Sequence, residues 1–241
     1  MHEFSKRVVI PILLCIMSAT SPSHAVDIRG EHLDPNQEFG NDVDYQLTAD
    51  ATFGWRTGTI AGDIDLNGHA FVMDTGGGNR TIFRGAILGQ GSFEWIGGSV
   101  PQVDASILTG TAPNTFRGKF VLSKGVLDLD KAGGACAIPG DLVVGSKASA
   151  VVRLRQPNQI DDRADVTFGG PETCGLELSG HDERFASLTL QTHAEITLGA
   201  RPATLVVSEG GPRAWDLTKT LTIRNFKPGR DRIVFGKNDR C

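Results

Sequence analysis

The chain has 241 residues, with 28 acidic against 24 basic side chains and a formal net charge of −4. This mild acidity argues against a nucleic-acid binder, which needs a clustered basic face, and no basic cluster stands out. Glycine is abundant at 30 residues and aromatics are few at 7%. Beyond the N-terminal stretch, no segment keeps an apolar period of 3.6 over three turns, which argues against helices.

The chain opens with Lys6 and Arg7, then an apolar run from Val8 to Met17, then the small-residue site Ser23-His24-Ala25. That order is the pattern of a secretory signal peptide. The run is well short of the ~20 residues needed to cross a bilayer. Cys15 lacks the small preceding residue of a lipoprotein signal. Residues 1–25 are therefore expected to be cleaved, leaving a mature chain that starts at Val26, spans no membrane and is secreted or held at the cell surface. Residues 26–49 read as an N-terminal lead-in or cap, 50–212 as repeats and 213–241 as a closing segment.

From there on, short apolar-alternating pieces follow one another: TIAGDIDL, KFVLSKGVLDLD, AVVRL, CGLELSG, AEITLG, ATLVV and KTLTIRNF. Most run about four to eight residues beside Gly, Asn, Asp or Pro, which is the signature of strand and turn. Leu66, Leu88, Leu108, Leu129, Leu154, Leu178, Leu198 and Ile223 recur every ~20–25 residues, the step expected of stacked coils in a β-solenoid. The phrases DIDLNGH (63–69) and GLELSGH (175–181) echo each other, and GVLDLDK (125–131) is a looser match.

These features predict an all-β chain, a parallel β-helix of about eight coils. One coil cannot bury its apolar residues alone, so neighbours stack ~4.8 Å apart over a shared core. Alternation points Ile64, Leu66, Leu127, Leu129, Leu176 and Leu178 inward, and Asp63, Asp65, Asp128 and Glu177 to water. The alternative is a β-sandwich, which also has many short strands but needs no constant step. Parallel pairing of Leu108 with Leu129, and of Leu178 with Leu198, distinguishes the two.

Candidate chemistry is sparse. Asp74-Thr75-Gly76 in FVMDTGGGN resembles the start of an aspartic-protease loop. Such a site needs two facing aspartates, and the sequence holds one Asp-Thr-Gly. The glycines would cradle phosphate only ahead of a helix, and NRTIFRG reads as strand. The stretch is expected to be a corner from Asp74 to Asn79. Asp63, Asp65, Asn67, Gly68 and Asp74 fall at calcium-loop positions, without flanking helices; the competing reading turns the chain at Asn67-Gly68. His32, His69, His181 and His193 lack metal-ligand spacing, although His69 and His181 follow equivalent glycines and so could share a face. Asp161, Asp162, Arg163 and Asp165 form the densest charge run, read as a solvated turn. No catalytic, cofactor-binding or metal-ligating residue is assigned. Cys136, Cys174 and Cys241 remain after cleavage. A Cys136–Cys174 bond requires one long coil between them, whereas two coils leave both thiols free.

Residues 107–145 resemble the autotransporter-associated β-strand repeat. The matching features are Asn114-Thr115-Phe116, Gly118, Gly125-Val126-Leu127-Asp128-Leu129, Lys131, Ile138-Pro139-Gly140 and Leu142. Residues 214–236 are similar to the closing segment of such proteins. The resemblance implies a right-handed β-helix on the cell surface or outside the cell, with no single family chemistry. Neither the translocating barrel nor the Pro-Glu-Pro type sorting tail occurs in this sequence, so the chain is expected to be either a released protein or a truncated member that ends at KNDRC. The expected function is structural or adhesive and non-catalytic, with surface polysaccharide or other surface proteins as partners. The alternative is a polysaccharide-active lyase or hydrolase, which needs carboxylates from adjacent coils converging in one groove.

Overall fold

A computed structural model describes residues 26–28, 43–54, 57–75, 80–98, 105–209 and 215–236. The signal-peptide expectation, His32 and Cys241 lie outside them. The described residues are all-β, without helix, and every strand pair is parallel. The strands stack as a β-solenoid of about seven turns rather than eight. The sandwich alternative, built from antiparallel hairpins, is overturned.

Each turn has three sides. The first face begins with strands Val26–Ile28, Tyr45–Leu47, Ile64–Asp65 and Ile87–Leu88. It narrows to a bridge between Ile138 and Ile160, then resumes with Glu183–Phe185, Thr204–Val207 and Arg232–Phe235. The second face runs from Ala51–Gly54 through Ala70–Asp74 and Ser92–Ile96 to Ser187–Leu190. The third runs from Gly58–Ile60 through Thr81–Phe83 and Ser106–Gly110 to Leu221–Arg224. The 12-residue strand Phe120–Lys131 serves both the second and the third face. Its register shifts between Leu122 and Lys124, and Gly125 takes φ +89° there. A side chain would be strained at that angle, so glycine lets one strand round the corner.

The core is a set of stacked columns. On the second face Phe71, Phe93 and Phe120 succeed one another, with ring centroids 5.4 Å apart at each step. On the third face the column is Ile60, Phe83, Leu108 and Leu129, continued by Leu154, Leu178 and Leu198, all of them buried. Leu108 pairs with Leu129 directly, and Leu178 and Leu198 each follow one of the partners Glu177 and Thr197. Burial of one such side chain stabilises by about 1.5–3 kcal/mol, repeated at every turn.

The apolar period is therefore real, but its phase slips at both ends. Leu66 and Leu88 belong to the first face, where Leu88 is the partner of Asp65 and is half-buried. Ile223 pairs with Ile196 rather than Leu198. Ile64, Leu66, Leu127, Leu129, Leu176 and Leu178 do face the core. Asp128 does not reach water: it is 4% exposed. Its position on the pleat points outward, but two arginines from the next turn close over it. The lead-in and closing segments also contribute stacked strands, Tyr45–Leu47 at one end and Leu221–Arg224 with Arg232–Phe235 at the other.

Candidate functional site

Side chains with reactive chemistry collect along the first face, where most of them hold the backbone of a neighbouring turn. Asp44 Oδ1 accepts from Asp63 N–H (2.9 Å), and Asp63 Oδ1 accepts from Ala86 N–H (2.6 Å). One turn on, buried Asn114 accepts from Ile87 N–H (2.9 Å) and donates to Ala137 C=O (2.7 Å), joining three turns. Gln159, also buried, accepts from Lys131 N–H (2.8 Å) and donates to Lys131 C=O (3.1 Å). The first face is nearly free of regular ladder around Asn114 and Gln159. Their amides supply the pairing that the missing strand would have given.

Glu183 extends this series with a carboxylate. It is 2% exposed. One oxygen accepts from Gln159 N–H (2.8 Å) and Ile160 N–H (3.3 Å), and the other from Arg184 N–H (3.0 Å). Burial pushes its pKa up to about 8, against the opposing pull of those three backbone donors. Glu183 also lines a shallow depression of about 340 Å³ with Asn158, Asp162, Asp182, Arg184 and Thr204. Asp162, read from sequence as a solvated-turn residue, thus shares a depression with two other carboxylates. Asp161 serves its own turn by accepting from Arg163 N–H, and Asp182 accepts from Thr204 N–H (2.6 Å).

Lys131 is the least expected group. It is fully buried, and its Nζ donates to Gly85 C=O (2.7 Å), a residue two turns away. Burial lowers its pKa to about 8, and the Asp63 charge opposes that shift. A lysine without access to solvent acts as a strut between turns.

The third face carries outward ladders. Asp128 accepts from Arg153 Nε (2.6 Å) and from Arg155 Nε (2.9 Å). Glu195 pairs with Arg224. Gly175 leaves a gap beside Val151, and Ser149, Thr173, Glu177 and Thr197 complete a depression of about 190 Å³. At the corner between the second and third faces, Ser123 Oγ donates to Glu94 (2.5 Å), whose other partner is Lys147 (2.7 Å). Burial acts to raise the Glu94 pKa, but the bonds from Lys147 and Ser123 outweigh it and hold the carboxyl below its ordinary value. Ser123 resembles an activated nucleophile but is fully buried.

The sequence motifs are dispersed. Asp65 lies on the first face and Asp74 ends a second-face strand, so the calcium-loop positions do not converge. Asp65 Oδ1 instead accepts from Asn67 N–H (2.9 Å), and Asn67 and Gly68 turn the chain at φ 46° and 90°. Asp74 stacks between Gly54 and Ile96 as a strand residue, and Thr75 donates to Ile96 C=O. Gly76 to Asn79 lie outside the described residues. His69 follows the first face and sits 3.6 Å from Asp50, whereas His181 follows the third, so the two histidines do not share a face. His193 accepts from Thr220 N–H. Among the described residues no group of three His, Cys, Asp or Glu could hold a metal.

Cys136 precedes the first face and Cys174 opens a third-face strand, and both are free. Between them the chain crosses the second face twice, at Leu142–Val144 and Asp165–Phe168, which excludes a single long coil. Burial pushes the thiols up to about 12 and about 11, so neither is a ready nucleophile. In comparisons with protein-family models, curated proteins and solved structures, nothing matches this chain.

Proposed function

We propose that the protein is an exported, non-catalytic β-solenoid of the cell surface or extracellular space. It acts as a structural or adhesive element that presents its third face to surface polysaccharide. One observation carries the reading. Buried groups suited to chemistry, namely Asn114, Gln159, Glu183 and Lys131, are each bonded to the backbone of another turn. The outward-facing, half-buried rows of the third face, with Arg153, Glu177, Glu195 and Thr197, supply charge and hydroxyls at a regular inter-turn spacing. A repeating polymer can meet such rows at several turns, so weak contacts add up. The shallow depression at Gly175 suits this better than a reaction that must exclude water. The N-terminal signal pattern and the repeat resemblance support export.

The runner-up is a polysaccharide lyase or hydrolase. The convergence of Asp162, Asp182 and Glu183 from adjacent turns favours it, together with the raised pKa of Glu183. Co-sedimentation with a panel of insoluble polysaccharides tests the main reading. Retention should fall at least about tenfold in a Glu177→Lys/Thr197→Lys variant and persist in the first-face variant Arg184→Glu. Equal loss in both variants, or no retention on any polymer, overturns it.

A further inference from the structure

The third face holds a glycine that its backbone does not need. Gly175 lies within the strand Cys174–Glu177 and faces outward, in a column with Val126, Val151, Glu195 and Thr222. Other glycines of the solenoid have a visible cause. A Cβ at Gly62, Gly85 or Gly118 would come within 1.9 Å of a carbonyl oxygen one turn away, and Gly125 rounds its corner at φ +89°. Neither cause applies at Gly175. Its backbone is not left-handed, and an added Cβ would meet the Val151 methyls at 3.3 and 3.5 Å, with the carbonyl oxygen of Glu195 3.7 Å away. An outward strand position favours a β-branched residue, as Val126 and Val151 illustrate. Glycine there weakens the strand and marks a place that something else approaches closely.

The missing side chain opens the depression of about 190 Å³, with Val151 in its lining and Ser149, Glu177, Glu195 and Thr197 around it. No aromatic ring lines it among the described residues, so a sugar held there cannot rely on stacking. Charge takes that place. Arg153 is turned to Asp128 (Nε to Oδ1 2.6 Å), and Glu195 is paired with Arg224. Glu177 stands between Arg153 and Thr197 in register, and its carboxylate has no hydrogen-bond or ion-pair partner among the described residues. We propose, resting on the polysaccharide-binding role proposed above for this face, that the notch is a subsite for one ring of an amino-sugar polymer. The ring lies against Val151, its ammonium group donates to the Glu177 carboxylate, and its hydroxyls meet Thr197 and Ser149. An acidic sugar would meet two carboxylates, and a neutral or N-acetylated one would leave Glu177 without a counter-charge.

Depletion binding to beads of chitosan, chitin, cellulose and polygalacturonate tests the subsite, chitin being the acetylated form of chitosan. The protein should bind chitosan at least about tenfold more tightly than chitin, and the preference should shrink in 1 M NaCl, where the screening length falls to ~3 Å. Glu177→Gln should abolish the preference. Gly175→Val should fill the notch and abolish it too, while melting at or above the wild-type temperature, because valine suits the strand. A valine variant that melts lower and binds unchanged would show a glycine kept for the backbone, and overturns the proposal. Asp50→Asn removes the same charge from an exposed site elsewhere and should keep the preference. If it loses as much as Glu177→Gln does, the attraction is one of bulk charge and the proposal falls. Equal retention on chitin and chitosan, or retention on cellulose or polygalacturonate without chitosan, overturns the amino-sugar subsite and leaves the polysaccharide-binding role standing. No retention on any polymer overturns both.

Discussion

Replacing Glu183 with glutamine should change how stability depends on pH. The carboxyl has a pKa of about 8 in the folded protein, raised from 4.5 mainly by burial. Between those values the folded state holds a proton that the unfolded state has released. Stability therefore falls as pH rises, by up to about 1.4 kcal/mol per pH unit from this group. Its contribution is complete below pH 4.5 and lost as pH climbs through about 8. Glutamine keeps one acceptor oxygen for the backbone N–H groups of Gln159 and Ile160 and does not titrate. Between pH 5 and 7 the wild type should lose about 2–3 kcal/mol relative to Glu183→Gln, a difference of roughly 5–10 °C in melting temperature for a domain of this size. Lys131 provides an internal contrast. Its pKa is lowered from 10.5 to about 8, so the unfolded state holds the extra proton and stability from this group rises with pH across that interval. Calorimetric melts of wild type and variant at pH 5, 6, 7 and 8 read the difference directly. Parallel melting curves across that range would refute the reasoning, because the carboxyl would then be ionised in both states.

Two further outcomes follow from the stacking itself. Gly85→Ala would place a Cβ 1.9 Å from the Gly62 carbonyl oxygen and should cost about 3 kcal/mol or prevent folding, whereas Gly133→Ala meets no atom within 4 Å and should cost only about 1–2 kcal/mol through its φ of +69°; urea midpoints that rank the two the other way contradict the register. Cys136 and Cys174 should resist a thiol reagent at pH 8 in the native protein and both react in denaturant; a peptide crosslinked between them under non-reducing conditions would contradict the two crossings of the second face that separate them.

The solenoid is legible in the sequence because its cause is local and repeated. Alternation in DIDL, VLDLD and GLEL sets the inward residues, and the ~20–25-residue step sets the stacking. The column from Leu108 to Leu198 could be read for that reason. The phase at Leu88 and Ile223 could not, since leucine and isoleucine also fill other faces and turn length varies with the corner. The burial of Asp128 is not legible, because alternation gives the direction of a side chain but not what folds over it, and the arginines that cover it lie 25 and 27 residues away. The first-face brackets were equally hidden: Asn114 and Gln159 look like ordinary loop amides until their partners one turn away are known. Glu183 carries no motif, and only the stacking of its turn on Asp162 makes a depression. His69 and His181 lie apart because the similar phrases DIDLNGH and GLELSGH occur on different faces of the triangle.

The central claim is that the carboxylates on the first face hold turns together and do no chemistry. Incubation of the purified protein with soluble and insoluble polysaccharides, followed by assays for new reducing ends and for the ultraviolet absorbance of unsaturated products, tests it most directly. The account predicts no product above the background of heat-denatured protein from pH 4 to 9, with Glu183→Gln and Asp162→Ala indistinguishable from wild type. Product release by the wild type that either substitution abolishes, while the variant keeps its melting temperature, would contradict it.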